Sequence, residues 1–315
     1  MKRKKFLVTG GLGFIGSNIS KLLIKKKHDV IIFDNSSRGN LKKINKIKKK
    51  VKFIKGDIRN KKLLEKSLNN VDAVVHLAYV NGTKYFYQHP VKILEIAIKG
   101  IVNILDCCIK KGVKEIYLAS SSEVYNNPDK IPTDESVVLK IPDIYNPRYS
   151  YGGGKIITEL MGIHYGKKFF KKLIIFRPHN VYGPDMGFEH VIPEIIQRTK
   201  KLGKKKKVLK IMGTGKETRS FIFIDDFIEG FNLLLSRGKH LNIYNIGTSE
   251  RISIKKLAYK IAKVLKRKIK ISNKINVAKG SPTHRCPNVS KLKKLGFKKR
   301  YNLNSGLKKT ADWYN

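Results

Sequence analysis

Thr9-Gly10-Gly11-Leu12-Gly13-Phe14-Ile15-Gly16 decides how this chain is read. The stretch leaves the apolar run Lys5–Thr9, which reads as a strand. It opens Phe14–Lys27, where Ile15, Ile19, Leu22 and Leu23 recur near helical spacing. A glycine loop between strand and helix lets backbone approach a pyrophosphate closely, and the helix N-terminus adds free N–H groups and partial positive charge. Gly10, Gly13, Phe14, Ile15 and Gly16 are therefore expected to hold a dinucleotide.

Working outward, further strands are expected at Val30–Phe33, Val51–Lys55, Ala73–Leu77, Glu115–Ala119 and Leu173–Phe176. Helices are expected at Lys61–Leu68, Val91–Lys111 and Tyr149–Lys171. Strands separated by helices imply βαβ units, hence an α/β fold with a Rossmann-like, doubly wound parallel sheet. Past Arg177 the pattern loosens into Gly- and Pro-rich loops, with a helix near Ser253–Leu265 and another at the C-terminus. The expected division is a dinucleotide-binding domain over 1–177, rejoined by part of 220–247, and a smaller α+β substrate-binding lobe over 178–315.

Asp34 ends the second strand, where an acid can bond both adenosine ribose hydroxyls and repel a 2′-phosphate. That favours NAD over NADP, although Arg38 stands close enough to hold such a phosphate. Asn35 adjoins the same site, Asp57 and Ile58 after the third strand are placed for the adenine edge, and Leu77, Ala78 and Tyr79 for the cofactor beyond the fourth. A helix cap is the competing reading of Asp57.

The 315 residues carry 56 Lys and 12 Arg against 23 acids, a net charge of +45, yet 41% are hydrophobic. That apolar share excludes a disordered polycation. The basic residues are scattered and mostly Lys, with dense runs at Lys48–Lys50, Lys204–Lys207 and Lys291–Arg300. A specific nucleic-acid reader concentrates Arg in one stripe, so none is expected. No stretch approaches the ~18 apolar residues of a membrane span, and no signal-peptide core precedes the glycine loop. A cytoplasmic protein is expected, with Cys107, Cys108 and Cys286 as buried or half-buried free thiols and no metal site.

Tyr151 and Lys155 stand one helical turn apart. That spacing is weak alone; Tyr259 and Lys263 repeat it and read as surface helix. Tyr151 differs in its company, because Ser120-Ser121-Ser122 ends the fifth strand and strand ends open onto the ligand crevice. A phenol titrates near ~10, too high for a base at neutral pH, and a neighbouring ammonium lowers it. Tyr151 can then take a hydroxyl proton while hydride leaves the same carbon, with Ser121 bonded to that oxygen. His179, His190 and His284 fall in loops and are not taken as catalysts; His76 reads as a packed residue.

The glycine loop, the serine strand end and the Tyr151–Lys155 pair resemble the extended short-chain dehydrogenases/reductases, and more narrowly the NAD-dependent nucleotide-sugar epimerase/dehydratase family. The likeness spans essentially the whole chain. Arg177-Pro178-His179-Asn180-Val181-Tyr182-Gly183-Pro184 resembles the family segment in which Pro178 would meet cofactor and Asn180 the sugar-nucleotide diphosphate. Arg219, within Thr218-Arg219-Ser220-Phe221, and Arg285, within Thr283-His284-Arg285-Cys286-Pro287, match substrate-side arginines. The resemblance implies tightly held NAD, a nucleotide-diphosphate sugar, a transient 4-keto sugar, cell-surface polysaccharide synthesis, and a homodimer through Val91–Lys111 and Tyr149–Lys171.

Family members diverge after C4 oxidation. Ser122 and Glu123 occupy the positions that are Asp and Glu in dTDP-glucose 4,6-dehydratases, and Ser122 cannot supply the acid. A Ser-Glu pair with Pro147-Arg148 resembles both UDP-glucuronate decarboxylases and GDP-mannose 4,6-dehydratases; Asp34 argues against the mannose enzymes, which prefer NADP, and in the decarboxylases Glu123 would be catalytic and Arg148 would hold a carboxylate. The three glycines between Tyr151 and Lys155 depart from those enzymes. A 4-epimerase needs no further acid and ranks first. A decarboxylase or related 4-keto lyase ranks second, then a sugar dehydrogenase or reductase, then a non-catalytic NAD-binding protein.

Overall fold

The structure, a computed structural model, describes residues 2–202, 207–275 and 280–314. Lys204–Lys206 of the basic run lie outside the described residues. Seven strands build the main sheet: β1 (Lys5–Thr9), β2 (Asp29–Asp34), β3 (Val51–Lys55), β4 (Ala73–His76), β5 (Glu115–Ala119), β6 (Lys172–Pro178) and β7 (Asn242–Ile246). Their order is β3-β2-β1-β4-β5-β6-β7, with every neighbouring pair parallel. The order reverses between β1 and β4, and the crevice outside the strand ends lies there. β7, from within 220–247, forms one edge of the sheet by pairing with β6.

Helices cover both faces of the sheet. Successive residues of β1 point to opposite faces, so Phe6 and Val8 join one buried layer and Leu7 the other. The first layer holds Ile19 and Leu23 of α1 (Phe14–Lys25) with Phe227 and Phe231 of the helix Ile224–Arg237. The second holds Leu64 of α2 (Lys61–Ser67) with Ile101 and Ile104 of a long helix after β4. That burial, at about 1.5–3 kcal/mol for each large apolar side chain, is what holds the crossovers on the sheet. α1 stops two residues before its expected end because Lys27 turns left-handed, at φ 62°.

A short helix, α3 (Thr83–Gln88), had no signal in the periodicity, and neither had the 3₁₀ segment Leu41–Lys50. The long helices α4 (Pro90–Lys110) and α5 (Tyr149–Phe169) begin and end within two residues of expectation. They pack closely on one another. Beyond β6 come three small two-stranded pairings and the helices Ile254–Val264 and Leu303–Trp313. Ser253 caps the first of these by accepting from the N–H of Lys256 at 3.2 Å. Tyr259 and Lys263 are exposed on it. All three cysteines are buried and free. No described helix is long and apolar enough to cross a membrane.

Candidate active site

The glycine loop ends at Gly13, which caps α1 with no side-chain acceptor, so the first-turn N–H groups of Phe14, Ile15 and Gly16 are left for an outside partner. The turn is tight: a Cβ on Gly16 would fall 2.2 Å from the Gly10 carbonyl oxygen, and Gly10 itself adopts φ 69°. Across the crevice, the Thr9 hydroxyl accepts from the N–H groups of Leu77 and Ala78, both at 3.2 Å, and reaches His76 Nδ1 at 2.8 Å. Burial holds the His76 imidazole down at about 3, a neutral packed ring.

Asp34 accepts from the backbone of Leu12 at 3.0 Å and of Ser36 at 2.7 Å; burial raises its carboxyl against these bonds. Arg38 is engaged elsewhere, paired with Glu189 and laid over the Tyr85 ring at 4.6 Å. A second tie, Lys43 to Asp185, joins the same two loops. Asp57 is not a cap, since Asn60 caps α2. Asp57 instead takes a bidentate grip from Arg59 and a bond from Asn35, and Arg59 above all holds it at about 2. The Ile58 side chain is buried against Gly100 of α4. Pro178 is half-buried at the end of β6. The uncapped helix, the cramped turn and the carboxylate ending β2 fit an adenine dinucleotide carrying no 2′-phosphate.

At the next strand end, Tyr151, Lys155 and Ser121 come together. Tyr151 is buried, stacked on Phe86 at 4.8 Å and edge-on to Tyr79 at 5.0 Å. Burial pushes its phenol up, and a hydrogen bond with Ser121 pulls the other way. Lys155 donates to the Ala119 carbonyl at 2.8 Å and stands 4.0 Å from the centre of the Tyr79 ring. Burial drives the ammonium down to about 7 against the upward pull of Glu159.

Glu123 does not stand free. Arg285 grips both its oxygens, one at 2.7 Å, and Arg148 adds a bond at 3.2 Å. Burial alone would raise this carboxyl, but Arg285, then Arg148 and Arg219, outweigh it and hold it at about 2. Arg219 is fixed by the carbonyls of Thr218 and Pro282, both at 2.8 Å, and desolvation lowers it to about 10. Three arginines thus converge on one carboxylate, a net positive pocket, and the buried Nε of Arg285 has no partner. Ser122 is buried in the 3₁₀ turn beside Glu123. Asn180, at φ 39°, donates to the Ser220 carbonyl at 2.9 Å next to Arg219.

Behind the site lies a network that sequence reading missed. Glu159, one turn beyond Lys155, accepts from Ser120 and from Arg177 at 2.8 and 2.6 Å. Arg177 also reaches the Tyr125 hydroxyl at 2.7 Å, which donates to Asn245 of β7 at 2.8 Å. His179, in the loop after β6, is buried and meets the same Asn245 oxygen at 2.9 Å. One signal was available: a charged Arg177 following the apolar run of β6 must be paired if buried. His284 bonds Thr218 at 2.9 Å, and no group of His, Cys, Asp and Glu among the described residues could hold a metal ion.

Comparison with known proteins gives the chain a family. Residues 6–247 match the profile of the NAD dependent epimerase/dehydratase family. A putative UDP-glucose 4-epimerase of Methanocaldococcus jannaschii is 32% identical, over 98% of this chain and 97% of its own. A UDP-N-acetyl-alpha-D-glucosaminuronate decarboxylase of Bacillus cytotoxicus is 30% identical, over 99% and 98%. Among solved structures, the UDP-glucose 4-epimerase of Thermotoga maritima, with UDP-glucose, superposes at a TM-score of 0.89 with 26% identity, covering 98% of both chains.

Proposed function

The chain belongs to the NAD dependent epimerase/dehydratase family, and from that premise we propose that it is a nucleotide-sugar 4-epimerase acting through transient oxidation at C4. The observation that carries this reading is the state of Glu123. Beside Tyr151 the available carboxyl is clamped by two arginines and held at about 2, while Ser122 stands where a dehydratase carries its acid. Proton transfer at one oxygen is what Tyr151, Ser121 and Lys155 can supply, and 4-epimerisation asks for no more.

When bound, NAD supplies a hydride acceptor and donor. Gly10, Gly13, Phe14, Ile15 and Gly16 would hold its pyrophosphate, Asp34 its ribose, and Asn35, Asp57, Ile58, Leu77, Ala78 and Pro178 would line the rest. Tyr151 takes the C4 hydroxyl proton and returns it, Ser121 fixes that oxygen, and the Lys155 cation favours the phenolate. Arg219, Arg285 and Asn180 hold the diphosphate, with Ser122 on the sugar. Glu123 offsets part of the arginine charge. A second reading, a uronate decarboxylase, draws on Arg148 and Arg285 already gripping a carboxylate together. In that case the sugar carboxylate displaces Glu123 from them.

Tight retention of NAD, a cytoplasmic location and a homodimer belong to the same proposal. Support for the dimer comes from Val91, Leu94 and Ile98 of α4 and Leu160 of α5, all exposed apolar residues. The test is turnover without added cofactor on UDP-glucose, UDP-galactose, UDP-glucuronate and UDP-N-acetylhexosamines, with products identified by proton NMR. An isobaric product inverted at C4 is expected. A pentose with release of CO₂ selects the decarboxylase, and no turnover even with NAD and GDP- or dTDP-sugars refutes both.

A further inference from the structure

We propose that Tyr79 is a positioning residue of the hydride-transfer centre, its ring face carrying the Lys155 ammonium and its T-shaped contact fixing the Tyr151 phenol. The inference rests on the role proposed above for that pair. Two contacts converge on the one ring. Lys155 Nζ lies 4.0 Å from its centroid, inside the ~6 Å range of a cation–π contact. The Tyr151 ring meets it edge to face at 5.0 Å with an interplanar angle of 83°. Its hydroxyl passes between α4 and α5, where a Cβ on Gly154 would fall 2.2 Å from that oxygen and 2.7 Å from the Ala97 Cβ.

Gly154 has thus been left without a side chain where Tyr79 enters. Three consecutive glycines in a helix cost roughly 1 kcal/mol each relative to alanine, so the slot is maintained against propensity. The Tyr79 hydroxyl is buried and has no hydrogen-bond partner, so it is the ring, not the oxygen, that accounts for the residue. Around Lys155 the other groups are Glu159 on its own helix, His76 on β4 and the Ala119 carbonyl of β5. His76 is neutral and Glu159 is shared with Arg177 and Ser120. The π face of Tyr79 is therefore a substantial share of what compensates a desolvated ammonium.

The test compares wild type, Tyr79→Phe and Tyr79→Leu. The Lys155 side chain is titrated by ¹⁵N NMR of lysine-labelled protein, its signal assigned by its loss in Lys155→Met. kcat and KM are measured on the nucleotide sugar that wild type turns over. Tyr79→Leu is expected to lower the Lys155 midpoint by about one pH unit and kcat about tenfold at unchanged KM. Tyr79→Phe is expected to match wild type in both. If Tyr79→Leu does not fold, Tyr79→Met fills more of the slot without a ring and is read the same way. A midpoint unmoved in the ring-less variant, or an equal loss in Phe and Leu, overturns the proposal. A wild type that turns over nothing sinks the epimerase reading while the NMR titration still decides Tyr79.

Discussion

Replacing Glu159 by Gln keeps the shape of the side chain and removes its charge. Arg177 is then left with its guanidinium buried; the two side chains are 2% and 4% exposed. Breaking a buried ion pair from one side costs about 3–5 kcal/mol, because the remaining charge can neither be solvated nor matched. At about 2.1 cal/mol/K per residue, a chain of 315 residues unfolds with an entropy near 0.66 kcal/mol/K. The expected fall in Tm for Glu159→Gln is therefore about 5–8 °C by scanning calorimetry at pH 7. Because Glu159 also pulls Lys155 upward, the same variant loses turnover at neutral pH. The double variant Glu159→Gln, Arg177→Met removes both charges and is expected to recover part of the lost Tm. A Glu159→Gln protein melting within 2 °C of wild type would refute the reasoning.

Three further outcomes are expected. Lys155 sits at about 7 in the folded chain, below its ordinary value near 10.5, so the unfolded chain binds more protons between those limits and wild-type stability rises with pH across them. Lys155→Met is accordingly more stable than wild type at pH 6, with the gap closing by ~1.4 kcal/mol per pH unit above about 7, read by urea unfolding. Glu123→Gln releases Arg148 and Arg285 from their carboxylate, so UDP binds about tenfold more tightly by calorimetry, while C4 turnover stays within about tenfold of wild type; loss of all turnover would give Glu123 a proton-transfer role. Gly16→Ala puts a methyl group 2.2 Å from the Gly10 oxygen, and the purified variant is expected to retain under a tenth of the wild-type NAD, measured by absorbance after denaturation.

The sheet was legible because its strands are short apolar runs set between helical periods. β1, β3 and β5 fall where those runs predict them. α3 was not, since its aromatic residues show no clear period and its start is a glycine at φ 126° rather than a capping side chain. The Tyr151–Lys155 pair was legible through its spacing from the serine strand end. The clamp on Glu123 was not, because it is made by residues brought from 148 and 285, and no local pattern reports which carboxylate a distant arginine will choose. Tyr79 was read as lining the cofactor, yet its oxygen lies between two helices, a placement that depends on Gly154, 75 positions away. The Asn245 network joins five chain segments and has the same character.

Arg285 reaches back across 162 residues to Glu123. A ribosome adding roughly 5–20 residues per second needs about 8–30 s to make the second partner after the first. In that interval β1 to β6 and their helices have emerged, and a nascent chain can begin to acquire its cofactor before Arg285 is in place. Assembly order then separates the two ends of one clamp in time: the strand that carries the glycine loop is made first, and Arg285, the last grip on Glu123, arrives with almost the last tenth of the protein.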